Sequence, residues 1–303
     1  MVSMTRDEHA SLVALLQTRP GGLTWRAITD WVLEAGSAAD VWSQATSGTL
    51  FETTEESAAL SNARSDLDAW EADGIRFLSV LDADFPKRVR AIHEAPPFLT
   101  ARGSVRPDEY AVSVVGSRAA TAEGLGIARG ICLALAEKNV TVIAGLALGI
   151  DTAAHTAALE AGGRTIAVIG TGIRQYYPPA NRGLQDEIAQ RGLVLSQFLP
   201  DAPPHRHSFL MRNAIMSGLG HATVIAEAGE KSGARAQARM AVGHGRPVIL
   251  TDLVASRTQW GRDLVGKPSV YVASSVSEVL DALEKTERPE SAADQLLREL
   301  SHS

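Results

Sequence analysis

The sequence predicts an α/β fold in which a doubly wound, mostly parallel sheet follows a small helical domain. Two patterns carry that expectation. From Tyr110 to about Leu283, short runs rich in Val and Ile alternate with helical segments in the manner of βαβ units, and parallel strands buried on both faces read as continuous apolar runs. Four of those runs also end directly in glycine-bearing turns: Val112-Ser113-Val114-Val115 before Gly116-Ser117-Arg118, Val142-Ile143-Ala144 before Gly145, Ile166-Ala167-Val168-Ile169 before Gly170-Thr171-Gly172, and Val224-Ile225-Ala226 before Glu227-Ala228-Gly229. In a parallel sheet such turns gather on one edge, where backbone amides approach phosphate. The expected ligand is a nucleotide or a nucleic-acid strand.

Taken in chain order, Met1 to Ala10 alternates charged and polar residues and holds no apolar stretch of signal-peptide length. Leu12, Leu15 and Leu16 recur at helical spacing, and Trp25, Ile28, Trp31 and Val32 form a second stripe. Pro20-Gly21-Gly22 separates the two, and Thr24 is placed to cap the second helix. Residues 1–73 are therefore a helical module, either of helix-hairpin-helix or sterile-alpha-motif type or simply packed on a neighbour. Residues 74–107 break the pattern, with strands at Phe77 to Leu81 and at Phe98-Leu99, and forced extended or turn points at Phe85-Pro86 and Pro96-Pro97. This stretch reads as an ordered connector packing on the sheet of the domain that spans 108–283. Residues 284–303 read as a charged linker around Pro289 and a short helix with Leu296, Leu297 and Leu300, too little chain for a winged helix.

At 303 residues the chain buries a sizeable core. Its one cysteine, Cys132, lies in an apolar helical run, so neither an internal disulfide nor a cysteine zinc site is expected and a reducing compartment fits. No segment approaches a membrane-spanning run, and the expected location is cytoplasmic. A net charge of -6 argues against a wide basic face that grips duplex DNA through counter-ion release, while leaving room for a local basic groove.

The first turn, Gly116-Ser117-Arg118, offers a hydroxyl, amides and a guanidinium together, a combination suited to phosphate. The spacing of Gly116, Gly124 and Gly126 is not that of a dinucleotide-binding fingerprint. Behind the second turn, Gly145 to Asp151 with Gly149, Asp151 and His155 sit one helical turn apart, which permits a carboxylate–imidazole pair or, more simply, a first-turn acid and a buried histidine. The third turn leads to Tyr176-Tyr177-Pro178, where an aromatic ring can stack a base or merely pack the loop. His205 and His207 lie close together without a further metal-ligating partner nearby in sequence, so no metal and no cofactor are expected.

Together these residues resemble the DprA/Smf family of DNA-processing proteins. The resemblance runs through Gly116-Ser117-Arg118, Gly145-Leu146-Ala147-x-Gly149-Ile150-Asp151-x-x-Ala154-His155, Gly162-Gly163-x-Thr165-Ile166-Ala167-Val168, Gly172-Ile173 to Tyr177-Pro178, Arg212-Asn213, and Glu227-Ala228 to Ser232-Gly233. It implies an extended Rossmann-like fold with a sterile-alpha-motif-like domain before it, a pocket for single-stranded DNA, a homodimer, and a part in loading the recombinase RecA during natural transformation, without catalysis. By motif it places Gly116, Ser117, Arg118, Arg212 and Asn213 in the DNA pocket, with Gly145, Gly149, Gly170 and Gly172 shaping it; the residues themselves add Thr171, Tyr176 or Tyr177 as a stacking platform, and Ser232 and Gly233 at a further turn as candidates. The chain departs from the family at Ala214, where a second arginine is usual, at Gln197 in place of a glutamate, and over Ala234-Arg235-Ala236-Gln237-Ala238. Arg235 and Arg239, one helical turn apart, are candidates to replace the lost basic contact.

The other reading is a Rossmann-like nucleotide sensor or a protein of defence against foreign DNA. A nucleotide phosphoribohydrolase fits less well, because the turn from Glu227 to Ala238 has no acid after Ser232-Gly233. The acidic residues Glu52, Glu55, Glu56, Asp66 and Asp68 suit a solvated surface, or a module whose role is to contact a partner.

Overall fold

A computed structural model describes residues 5–47, 52–106 and 109–286. Four helices come first: α1 (Arg6–Thr18), α2 (Trp25–Ala35), α3 (Ala38–Thr46) and α4 (Glu52–Ala72). Thr5, Thr24 and Ser37 cap the first three by accepting from the amides of Glu8, Ala27 and Asp40, satisfying donors that a first helical turn leaves free. A short 3-10 turn at Pro20–Gly22 joins α1 to α2. Apolar faces of these helices, including Leu12, Leu15, Ile28 and Val32, are fully buried.

The chain then alternates as the sequence pattern predicts. It runs through β1 (Arg76–Ser79), α5 (Lys87–Arg90), β2 (Phe98–Gly103), β3 (Ala111–Gly116), α6 (Ala122–Glu137), β4 (Thr141–Ala144), α7 (Ile150–Glu160) and β5 (Thr165–Ile169). It continues through α8 (Arg182–Arg191), β6 (Leu193–Ser196), α9 (Arg206–Leu219), β7 (Ala222–Glu227), α10 (Gly233–Gly243), β8 (Val248–Thr251), α11 (Asp252–Ala255), α12 (Gln259–Leu264) and β9 (Val270–Ala273). A last helix, α13, covers 276–286. The linker and short helix expected farther on lie, from residue 287, outside the described residues.

Among the described residues there is one nine-stranded sheet in the order β1-β2-β6-β5-β4-β3-β7-β8-β9. The strands from β6 to β9 in that order are parallel, whereas β1 pairs antiparallel with β2 and β2 antiparallel with β6. The fold is thus α/β with a mostly parallel sheet. Successive strands from β3 build outward on one side as far as β6, and the chain then crosses to the other side of β3 to lay down β7, β8 and β9. The reversal leaves a crevice outside the carboxyl ends of β3 and β7, where the flanking crossovers diverge.

The stretch expected as a connector contributes two strands, β1 and β2, to the sheet itself, as its antiparallel edge. That edge is also where the helical module attaches. The Phe77 ring stacks on Phe98 at 5.2 Å between centroids and on Trp70 of α4 at 6.0 Å, while Trp25 of α2 meets Phe98 edge-on at 5.6 Å. His9 Nε2 of α1 lies 2.8 Å from Asp82 Oδ2 in the turn after β1. One apolar cluster therefore runs from Leu12 and Val41 through Phe98 to Val194 and Ile225. Truncating Phe98 to alanine, at a site with no solvent exposure, is expected to cost about 3–5 kcal/mol, read as a lowered urea midpoint at unchanged m-value.

Candidate nucleic-acid interface

The four glycine turns leave β5, β4, β3 and β7, which are neighbours in the sheet, so they converge on one edge. A cleft of about 880 Å³ opens there. Its walls are the turn after β3, the N-terminal half of α9, and the loop from β7 into α10, with Gly116, Ser117, Arg118, Arg212, Asn213, Ser232 and Gly233 among the lining residues.

Arg212 forms its floor. The side chain comes off α9 and is only 5% exposed. Its Nη1 lies 2.8 Å from Met216 Sδ and 3.9 Å from Asp151 Oδ2, close enough for charge attraction but beyond hydrogen-bonding distance. The buried Nε has no hydrogen-bond partner. Asp151, on the first turn of α7, instead accepts from the amides of Gly145 at 3.1 Å and Ala147 at 3.4 Å. Burial pushes the pKa of Asp151 up and that of Arg212 down, and the attraction of each for the other offsets only part of that cost. An arginine stays protonated in proteins. The cleft floor is consequently a buried cation, and Asp151, the carboxylate facing it, does not hydrogen-bond to it.

Glycines make this possible by close approach more than by exposure. A Cβ on Gly145 would sit 1.2 Å from Arg212 Nη1, so the guanidinium occupies the space a side chain there would need. Gly149 has φ +78, and a Cβ on it would lie 2.3 Å from Ser117 O, which allows the second turn to pack under the first. A Cβ on Gly170 would lie 2.6 Å from the Phe209 ring, and Cβ atoms on Gly116 and Gly172 would press on the carbonyls of Glu227 and Pro200. Of these five, only Gly116 lines the cleft; the others hold its walls together. Thr171, 2% exposed, lies behind them and its carbonyl accepts from Ser196 Oγ at 2.6 Å.

The amides expected to face a ligand at the first turn are partly committed elsewhere. Ser117 N–H donates to Glu227 O at 2.7 Å, and Ser117 Oγ accepts from Ala119 N at 3.2 Å. The reason is the close parallel approach of β3 and β7, whose ladder carries an irregularity between Val115 and Gly116. Arg118, beside it, brings a guanidinium to the cleft. Arg118 is exposed and its guanidinium lies over the Phe209 ring, 5.5 Å from the centroid.

Phe209 lines the cleft and touches Tyr177 at 5.2 Å between ring centroids. Sequence reasoning did not single it out, yet it stands three residues before Arg212 on α9 and so shares its face. Lys231 and Gln237 line the cleft as well. Tyr177, not Tyr176, is the tyrosine at the cleft: Tyr176 donates its hydroxyl to Asp186 at 2.8 Å and lies under Arg182 at 4.6 Å. Arg235 lies on α10, half-buried and outside the lining. His155 does not pair with Asp151; its Nδ1 lies 2.7 Å from Thr165 Oγ1, with the ring fully buried. The rings of His205 and His207 stack at 5.7 Å, and no group able to hold a metal is present among the described residues. Nor does any described helix have the length and apolarity to cross a membrane.

The family described as DNA recombination-mediator protein A matches residues 76–284. The chain is 42% identical over 172 residues to the DNA processing protein DprA of Streptococcus pneumoniae, covering 56% of this chain and 61% of that one. It is 33% identical over 207 residues to the protein Smf of Escherichia coli, covering 67% of this chain and 55% of that one. The chain spans about half the length of the relatives it matches in this way. Among solved structures, the X-ray structure of S. pneumoniae DprA superposes with a TM-score of 0.69 at 29% identity, covering 92% of this chain and 98% of that chain. A DprA structure from Helicobacter pylori, described for its single-stranded DNA binding mode, gives 0.62 at 26% identity and covers 70% and 96%.

The buried groups behind the cleft set a pH dependence. Burial and the Arg212 charge lower the pKa of His155 from 6.5 to about 3. As pH falls through 6.5 the unfolded chain takes up a proton that the folded state refuses, so this histidine removes several kcal/mol of stability between pH 6.5 and about 3. Asp151 acts in the opposite sense, because a raised folded pKa gives stability that is present below 3.8 and lost as pH rises through the folded value. Replacing His155 with Gln is expected to flatten the fall in urea midpoint between about pH 7 and about pH 4.

Proposed function

The chain belongs to the DNA recombination-mediator protein A (DprA/Smf) family, and from that membership and the chemistry of its cleft we propose that it binds single-stranded DNA and acts in DNA processing. The observation that carries the reading is the buried, incompletely paired guanidinium of Arg212 facing a cleft whose mouth holds Arg118. Taking a charge out of water costs several kcal/mol unless a partner compensates, and a phosphate matches a guanidinium fork.

Phosphate alone does not separate a single strand from a duplex; the apolar part of the cleft does. Tyr177 and Leu210 line it while 40% and 48% exposed, and Phe209 lies between Tyr177 and the Arg118 guanidinium. Unpaired bases offer π-faces to such rings, whereas a duplex keeps them stacked inside. A net charge of -6 also disfavours a broad duplex-binding face. The H. pylori relative's described single-stranded DNA binding mode agrees with this assignment.

The proposal extends to a homodimer in the cytoplasm that protects single strands and passes them to RecA in transformation or recombination, as the family resemblance implies. The proposed function is binding without catalysis, as the family resemblance implies; His155, behind the cleft, is buried and held neutral, unsuited to proton transfer at a substrate. Ala214 and Gln197 leave this chain one arginine and one carboxylate short of the usual family pattern.

In fluorescence anisotropy, the wild type is expected to prefer single-stranded over duplex oligonucleotides, with affinity falling as salt rises at roughly 0.7 log units per phosphate contact. Arg118→Ala and Arg212→Lys are each expected to weaken binding about tenfold or more, and Phe209→Ala to cost about 1–3 kcal/mol. Tight binding of a mononucleotide with no affinity for oligonucleotides would instead establish a nucleotide sensor.

A further inference from the structure

We propose that Gln237 is a positioning residue for the cleft, and that with His244 it clamps the wall carrying Arg212 and Asn213 to the wall carrying Ser232 and Gly233. The inference rests on the single-stranded DNA reading above and assigns Gln237 a role through the helix that carries Arg212.

The two walls are separate helices. Asn213, Arg212 and Phe209 belong to α9; Ser232 is the N-cap of α10 and Gly233 its first residue. Gln237, 1% exposed, projects from α10 into the seam between them. In the orientation that satisfies its amide, the nitrogen donates to Asn213 O at 3.0 Å and the oxygen accepts from Ser217 N–H at 3.2 Å. These two groups are one turn apart on α9, the acceptor and donor of a single rung of its ladder. The glutamine amide is thus bound to α9 at two points, on the turn that follows Arg212.

A second contact fixes the same turn. Two helical turns along α10, its C-cap residue His244 places Nδ1 2.8 Å from Ser217 Oγ, and its Nε2 lies 2.9 Å from Glu94 Oε2 in the segment before β2. Ser217 is fully buried, so the hydroxyl has no access to solvent or substrate and the Ser–His–Glu series is structural. Residues 237 and 244 lie on one face of α10, and both grip Ser217. Sliding or rotation of α9 against α10 would break both contacts together. That rigidity matters because Arg212 is held by no hydrogen-bonded carboxylate: its position follows from the backbone of α9.

The experiment compares wild type with Gln237→Leu, close in volume but without the amide, and Gln237→Glu, which keeps the acceptor for Ser217 N–H and loses the donor to Asn213 O. Leu is expected to weaken binding of a single-stranded oligonucleotide about tenfold and to reduce the salt slope by about 0.7, the loss of one phosphate contact, which a merely structural change would not produce. Its effect should be less than additive with that of Arg212→Lys, and Glu should fall between Leu and wild type. Hydrogen exchange at the amides of 213–217, measured without DNA, should accelerate in Gln237→Leu. Wild-type affinity and slope in Gln237→Leu, or strict additivity with Arg212→Lys, would overturn the proposal. If the wild type binds no oligonucleotide the functional reading fails, and the exchange measurement still decides whether Gln237 holds α9: unchanged rates sink it.

Discussion

A guanidinium kept out of water at the carboxyl edge of a parallel sheet is the constraint around which this molecule is arranged. Arg212 occupies the space that a side chain at position 145 would fill. The carboxylate that offsets its charge is held by two amides of the β4 turn and not by the arginine. This is a costly way to bury a cation unless a ligand completes it. Even the packing behind it carries a charge penalty, since the Arg212 field helps keep His155 neutral.

The topology explains why the cation sits where it does. Strands β3 and β7 are neighbours in the sheet but far apart in the chain, and the crossovers on either side of them leave in opposite directions. Side chains from α9, from the turn after β3 and from the start of α10 therefore meet over a gap that no backbone fills. The same closeness of β3 and β7 uses up the Ser117 amide. A turn that looks from its glycine like an amide cradle becomes a platform for Arg118.

The helical module is joined to this edge-to-edge architecture through aromatic packing. Trp25 and Trp70 bring α2 and α4 against Phe98 and Phe77 on the two antiparallel strands, so module and sheet share one apolar cluster. Rings bury large areas and fix relative orientation by their edges and faces. On this account the attachment of the module is a property of the sheet edge, and α2 also reaches α9, since Trp25, Arg26 and Thr29 line a small pocket together with Met211.

Much of this was legible in the sequence because it is local. Val/Ile runs ending in glycine specify strands and their turns, Thr24 its cap, and Arg118 and Arg212 cations in the segments that come to line the cleft, since period, φ and charge belong to residues and their near neighbours. What the sequence could not supply were facts that depend on which distant atoms come together. Phe209 enters the cleft because α9 turns that face toward β3, and Tyr177 rather than Tyr176 does so because Asp186 and Arg182 hold the other ring aside. The commitment of Ser117 N–H to Glu227 and of Gln237 to Asn213 and Ser217 likewise spans strands and helices with no sequence period between them. The sequence by itself determined the alternation of strands and helices and the basic, glycine-lined edge; the tertiary structure decided which donors remain free there, because a hydrogen bond between remote segments exists only once the sheet has brought them within 3 Å or so of one another.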